Sequence, residues 1–270
     1  MGYLFLFLSL FSSLTIAVML KFFEKWGYDR IVVIASNYAV ACLLGMFLSR
    51  PSTMESSVIP FAVIVGLLFF VTFVIYSVAI RKEGIAPAVT FGRISLAIPV
   101  LLSILLWGER PGILNFLGLV VIFIVVLLWE GKTTRLSAIL ATLFLLSGTI
   151  DASMKFFKVH FSSVNEGKFL LFIFFSAFLW SWAYVFIVKK NLRFSHIFAG
   201  LIMGIPNFFS SFFLLKTLGR VAAYVSFPFI TIGLIALSAL AGHTIFSESL
   251  PRRKILLILL GILGALALTL

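Results

Sequence analysis

Long apolar runs alternate along the chain with short stretches rich in charge, proline or glycine. An α-helix crossing a hydrocarbon core of roughly 30 Å needs about 20 mainly apolar residues. The runs at 2–21, 31–49, 59–80, 87–107, 113–129, 137–158, 169–188, 196–217, 221–246 and 254–270 meet that length closely enough to predict ten spanning helices. Charged hinges separate them, among them Lys25 to Arg30, Arg50 to Ser57, Gly131 to Arg135 and Glu248 to Lys254. The predicted fold class is all-α: a polytopic membrane protein of ten transmembrane helices.

The pattern repeats. Residues 13–23 lie over 147–157 at a constant offset, matching Ser13 with Ser147, Thr15 with Thr149, Ile16 with Ile150, and Lys21-Phe22-Phe23 with Lys155-Phe156-Phe157. Further on, Gly66 aligns with Gly204, Phe70 with Phe208 and Glu109 with Glu248. These matches predict two five-helix repeats, 1–135 and 136–270, forming one membrane domain. An odd number of spans makes the second copy enter the membrane from the opposite side. That gives an inverted pair, an arrangement many secondary transporters use.

Composition agrees with lipid as the solvent. Apolar residues make up 62% of the chain and charged residues 11%, with a mean hydropathy of +1.22. Soluble domains carry roughly 45–50% apolar and about 25% charged residues. The first run lacks a basic segment before it and is span-length, so it reads as a helix rather than a cleaved signal. The net charge of +12 would suit a nucleic-acid binder, but the Lys and Arg residues sit in clusters between apolar runs, as at Arg252-Arg253-Lys254. That placement is the signature of membrane-flanking anchors, so no nucleic-acid partner is expected. The single Cys42 rules out an intrachain disulfide, and no metal or other cofactor is expected. Loops after odd-numbered spans hold thirteen Lys and Arg against seven after even-numbered ones, which favours odd loops in the cytoplasm.

Three stretches carry a family resemblance. Leu106-Trp-Gly-Glu-Arg-Pro-Gly-Ile-Leu-Asn-Phe-Leu-Gly118 resembles the segment closing the fourth helix and opening the fifth in the drug/metabolite transporter superfamily, EamA-like branch. Ile245-Phe-Ser-Glu248 resembles its second-half counterpart, although Gly261 follows Glu248 at a longer spacing than Gly118 follows Glu109. Gly204-Ile-Pro-Asn-Phe-Phe, with Lys216-Thr-Leu-Gly-Arg-Val-Ala-Ala, is similar to the family's eighth helix and the turn into the ninth. The resemblance implies a ten-helix carrier of small organic solutes, amino-acid-like, sugar-like or drug-like. It also implies a central cavity lined by helices three, four, eight and nine, and alternating access.

Ionisable residues inside a span are functional candidates by default. Asp151 lies well inside the sixth predicted span, with Lys155 four residues on, in the order that favours an i,i+4 pair. The two read either as a substrate or proton contact, or as a structural pair with Lys155 snorkelling to the headgroups. Arg93, inside the fourth span, is placed to clamp a carboxylate, to snorkel, or to pair with a protein acid. Pro206-Asn207 mid-way along the eighth span offers a freed carbonyl and an amide, for a cavity or for an interhelical hydrogen bond. Pro99 and Pro228 predict similar irregularities. Tyr76, Asn37, Trp180 and Tyr184 are further candidate liners, while Lys216 and His243 sit near span ends. Glu109 and Glu248 read as structural, accepting from free N–H groups at the start of the next helix.

The expected function is a secondary transporter with a small-molecule substrate, proton-coupled through Asp151, monomeric or homodimeric, in a prokaryotic plasma (inner) membrane. A non-transporting scaffold or receptor is the alternative. A lipid-modifying enzyme fits less well, because no Asp-x-x-Asp, His-x-x-x-His or serine elbow occurs.

Overall fold

The computed structural model describes residues 1–49, 57–129 and 137–270. Two expected hinges, Arg50 to Ser57 and Gly131 to Arg135, fall wholly or largely outside those residues, as does the boundary between the two expected repeats.

The described residues form helices and connecting turns. In chain order the helices are α1 (Gly2–Lys25), α2 (Arg30–Leu48), α3 (Val58–Glu83), α4 (Ile85–Ile94), α5 (Ala97–Leu105) and α6 (Ile113–Leu128). There follow α7 (Ala138–His160), α8 (Glu166–Ile187), α9 (Phe194–Leu218), α10 (Ala223–Phe246) and α11 (Arg252–Ala267). With α4 and α5 taken as one broken helix, these are the ten expected. Eight of them are long and apolar enough to cross a membrane, and α6 is a shorter apolar helix. The chain thus has the architecture of a multi-pass membrane protein.

Local chemistry sets the ends. The Asp29 side chain accepts from the N–H groups of Ile31 and Val32 and starts α2. Asn165 accepts from the Lys168 N–H and starts α8 earlier than hydropathy alone suggests. A side-chain oxygen there satisfies donors that the first helical turn leaves free. The break between α4 and α5 has a covalent cause. Pro99 has no N–H to give the Ser95 carbonyl, which takes the Ile98 N–H at 3.0 Å instead.

The chain divides into two compact units, each drawing on both halves of the sequence. The first comprises residues 1–71 and 160–217. Its centre is the packing of α2 on α8, where Gly45 lets Leu171 approach so closely that a Cβ would meet its Cα at 2.8 Å. Tyr38 stacks on Phe174, which meets Phe208 at a tilt, through this core. Two glycines that align in the sequence make like contacts here. Gly66 of α3 is seated on the Ile173 carbonyl and Ser176 of α8, and Gly204 of α9 on the Asn37 carbonyl and Val40 of α2.

The second unit comprises residues 72–159 and 218–270. Here α10 packs on α5, α6 and α11, and α6 on α11. Gly118 and Gly264 bring the α6 and α11 backbones together; a Cβ on Gly118 would lie 2.6 Å from the Gly264 carbonyl oxygen. Asn115 adds a stitch, accepting from the Gly112 N–H and donating to the carbonyls of Ala267 and Leu268. Ala79, Ala88, Leu140 and Leu143 are fully buried together, with Tyr76 against them.

Candidate functional site

The second unit carries opposite charges inside its apolar helices. Arg93 comes from α4, two residues before the break with α5, and Asp151 from α7. The two stand within electrostatic reach of each other, and Tyr76 of α3 stands within reach of Arg93. All three side chains are partly buried. Gly148, one turn before Asp151, lies where a Cβ would be 2.7 Å from the Ser95 carbonyl oxygen. That approach sets α7 against the broken helix. The arrangement combines a fixed cation, a fixed anion, a phenol and an irregular stretch of backbone. Chemically it can hold a polar or charged small molecule through these groups.

The expected i,i+4 pair of Asp151 with Lys155 gives way to other neighbours. Asp151 stands within electrostatic reach of Arg93, whereas Lys155 is buried and its Nζ lies 2.7 Å from Glu109 Oε1 and 3.4 Å from the Leu218 carbonyl oxygen. The tertiary fold supplies Lys155 with a nearer, better-oriented acid than its own helix does, so snorkelling is not needed. Glu109 also accepts from the backbone N–H groups of Ala223 and Tyr224, the first of α10. The helix it caps is therefore α10 rather than the next helix in sequence. Burial pulls the Glu109 carboxyl upward, but the Lys155 ammonium and the two N–H donors outweigh it and hold the group below the usual carboxylate range. These contacts make Glu109 and Lys155 a clamp between α7 and α10, apart from the Arg93 and Asp151 pair.

Glu248 shares local backbone geometry with Glu109. Each donates its N–H to a carbonyl six residues earlier, Ser103 and Gly242 respectively, at 3.0 Å. Each follows a left-handed residue, Gly108 or Ser247. The side chains live differently: Glu109 is largely covered, and Glu248 is exposed.

In the first unit, Asn207 Nδ2 donates to Asn37 Oδ1 at 2.6 Å, and Asn37 Nδ2 donates to the Ile34 carbonyl at 2.7 Å. Asn37 is buried. Two residues that the sequence singles out separately thus form one interhelical amide pair, set by the Gly204 seat beside it. Pro206 lies inside α9 without ending it.

Trp180 stands exposed on α8 beside Leu179. Hydropathy gives no direction for it, because α8 is apolar all round. Tyr184 packs against Phe70. Lys216, at the end of α9, pairs with Glu166 at 2.8 Å and lies over the Phe212 ring. His243 Nδ1 is 2.9 Å from the Glu248 carbonyl oxygen. The sequence reading missed the Glu166–Lys216 and Asp29–Lys190 pairs, the latter at 2.9 Å. The partners are far apart in the chain and carry no spacing signal. Among the described residues, no group of three His, Cys, Asp or Glu is placed to hold a metal ion.

No family model matches this chain. An uncharacterised protein of Haemophilus influenzae is 27% identical over 267 aligned residues, covering 92% of this chain and 91% of that one. A solved crystal structure superposes with a TM-score of 0.79 at 15% identity, covering 99% of this chain and 96% of the other. At that identity the likeness concerns the fold. What is established is an all-α, multi-pass membrane architecture with a bacterial relative of nearly equal length.

Proposed function

We propose that this chain is a secondary transporter that moves small polar or amphipathic organic metabolites across a membrane by alternating access. The observation that carries the reading is the Arg93 and Asp151 pair beside the broken helix of α4 and α5. Charges inside spans are costly and mark substrate or ion pathways. Irregular backbone at such depth is tolerated where it is covered by protein or lines a water-filled path.

Two further features support the reading. The first is the resemblance of Leu106 to Gly118 and of Gly204 to Phe209 to the EamA-like drug/metabolite transporters. The second is the inverted five-helix repeat expected from the sequence. It is supported by the like seats of Gly66 and Gly204 and the like turns before Glu109 and Glu248. In this reading Arg93 takes an anionic group of the substrate, Asp151 takes a cationic group or a proton, and Tyr76 orients the ligand.

The test is uptake of a metabolite panel into proteoliposomes, with and without a pH gradient. Substrate-dependent accumulation by the wild type, lost in both Arg93→Ala and Asp151→Asn, is the expected result. Undiminished transport in both variants would remove the pair from the mechanism.

A further inference from the structure

The start of α11 holds Arg252, Arg253 and Lys254 in succession. This is the wrong end of a helix for cations, because the N-terminus carries the positive end of the macrodipole and the unpaired N–H groups. Neither relief that such an end commonly has is present: the first turn holds no acid, and Pro251 before it gives no side-chain cap. Two of the three cations are nonetheless fixed in place by α6. The Arg253 guanidinium donates to the Leu128 carbonyl at the end of α6, and Lys254 Nζ lies 5.0 Å from the centre of the Trp129 ring. Arg252 is exposed.

These contacts build a cationic platform across the ends of two packed helices. Trp129 stands at its edge, a residue type that favours the level of the headgroups. Directly beside it, Leu127 and Leu128 of α6 and Ile255, Leu256 and Leu259 of α11 are exposed apolar side chains. Over 129–135 and 248–254 the sequence carries five Lys and Arg against two Glu. The surplus of positive charge in loops after odd-numbered spans puts this end of the helices on the cytoplasmic side, where anionic lipid headgroups attract basic segments.

We infer that this platform is a binding site for an anionic phospholipid. The phosphate sits against Arg252 and Arg253 at the start of α11, and the acyl chains lie along the exposed leucines and isoleucine. The lipid's charge offsets the cations that α11 carries at its unfavourable end. This site is separate from the Arg93 and Asp151 pair and does not depend on what the protein transports.

The experiment places the purified protein in nanodiscs of phosphatidylcholine, alone or with added phosphatidylglycerol, and measures retained lipid by native mass spectrometry. The wild type should retain phosphatidylglycerol over phosphatidylcholine. Each cation neutralised should weaken that preference about fivefold, so that Arg252→Gln weakens it and the Arg252→Gln, Arg253→Gln, Lys254→Gln triple variant abolishes it. Arg252→Gln alters an exposed position and keeps the test informative should the triple variant fail to fold. The double variant Arg81→Gln, Lys82→Gln removes exposed charge at the end of α3 and should leave the preference intact. No preference in the wild type, or equal loss in the Arg81 and Lys82 variant, overturns the site.

Discussion

Asn37 with Asn207 in the first unit, and Arg93 with Asp151 in the second, are polar pairs carried by otherwise apolar helices. They differ in what they cost when left alone. An amide without its partner forfeits a hydrogen bond, worth on average about 0.6 kcal/mol between membrane helices. An unpaired charge in a poorly solvated place is far more expensive. In the first unit, ion pairs tie helix starts or ends: Asp29 with Lys190 at the start of α2, Glu166 with Lys216 at the start of α8. The second unit has such a clamp too, Glu109 with Lys155, and places a further charge pair within its helices. A neutral pair is sufficient to align helices. Charges kept inside a span, where a neutral pair would align helices as well, are better explained by a task than by packing.

The sharpest way to break that comparison is to separate stability from transport at Arg93 and Asp151. Removing either alone strands the other, at about 3 kcal/mol, and should abolish uptake. Arg93→Met combined with Asp151→Leu removes both charges and should regain thermal stability while remaining inactive in proteoliposomes. Restored uptake in that double variant would make the pair structural, like the amides.

Glu109→Gln comes next, because it weakens the Lys155 contact and the cap on α10 together. We expect a loss of about 2 kcal/mol, read from thermal unfolding in detergent. The pH dependence has a definite sign. The folded carboxyl sits below its unfolded value, so its stabilisation is complete above the unfolded pKa of about 4.3 and is lost as pH falls through the folded one. The variant should lack that part of the acid loss. An unchanged acid profile would assign the loss to another carboxylate.

Asn207→Leu should cost least, about 0.6 kcal/mol, and leave uptake measurable. If it instead abolished uptake while the protein stayed folded, the first unit would share the binding task and the contrast between units would fail.

Much of the fold was legible along the chain, for a simple reason: a lipid-solvated helix needs apolar residues over a fixed length, and nothing else in the sequence mimics that. The break at Ser95 was foreshadowed by Pro99, whose missing N–H is a covalent fact. The Glu109 and Glu248 match, taken from sequence alone, reappears as the same turn with the same backbone hydrogen bond. Pairings were not legible in the same way. Asp151 and Lys155 have ideal helical spacing, yet Lys155 pairs with Glu109 and Asp151 stands within reach of Arg93, because spacing fixes who shares a face and says nothing about what faces it. Trp180 shows the limit from the other side. On a helix apolar all round, no periodicity distinguishes a buried face from an exposed one.

The sequence by itself therefore determined the solvent, the number and approximate length of the helices and which residues carry charge into the membrane, while of the expected irregularities only the one at Pro99 breaks a helix and Pro206 and Pro228 lie inside continuous ones. Those properties depend on covalent structure and on the transfer of single residues from water to lipid. The tertiary structure alone decided that Arg93 and Asp151 come within electrostatic reach, that Lys155 meets Glu109 under α10, and that Asn207 meets Asn37. Each pairing joins helices distant in the chain, and their contact depends on where glycines such as Gly148 and Gly204 let two backbones close.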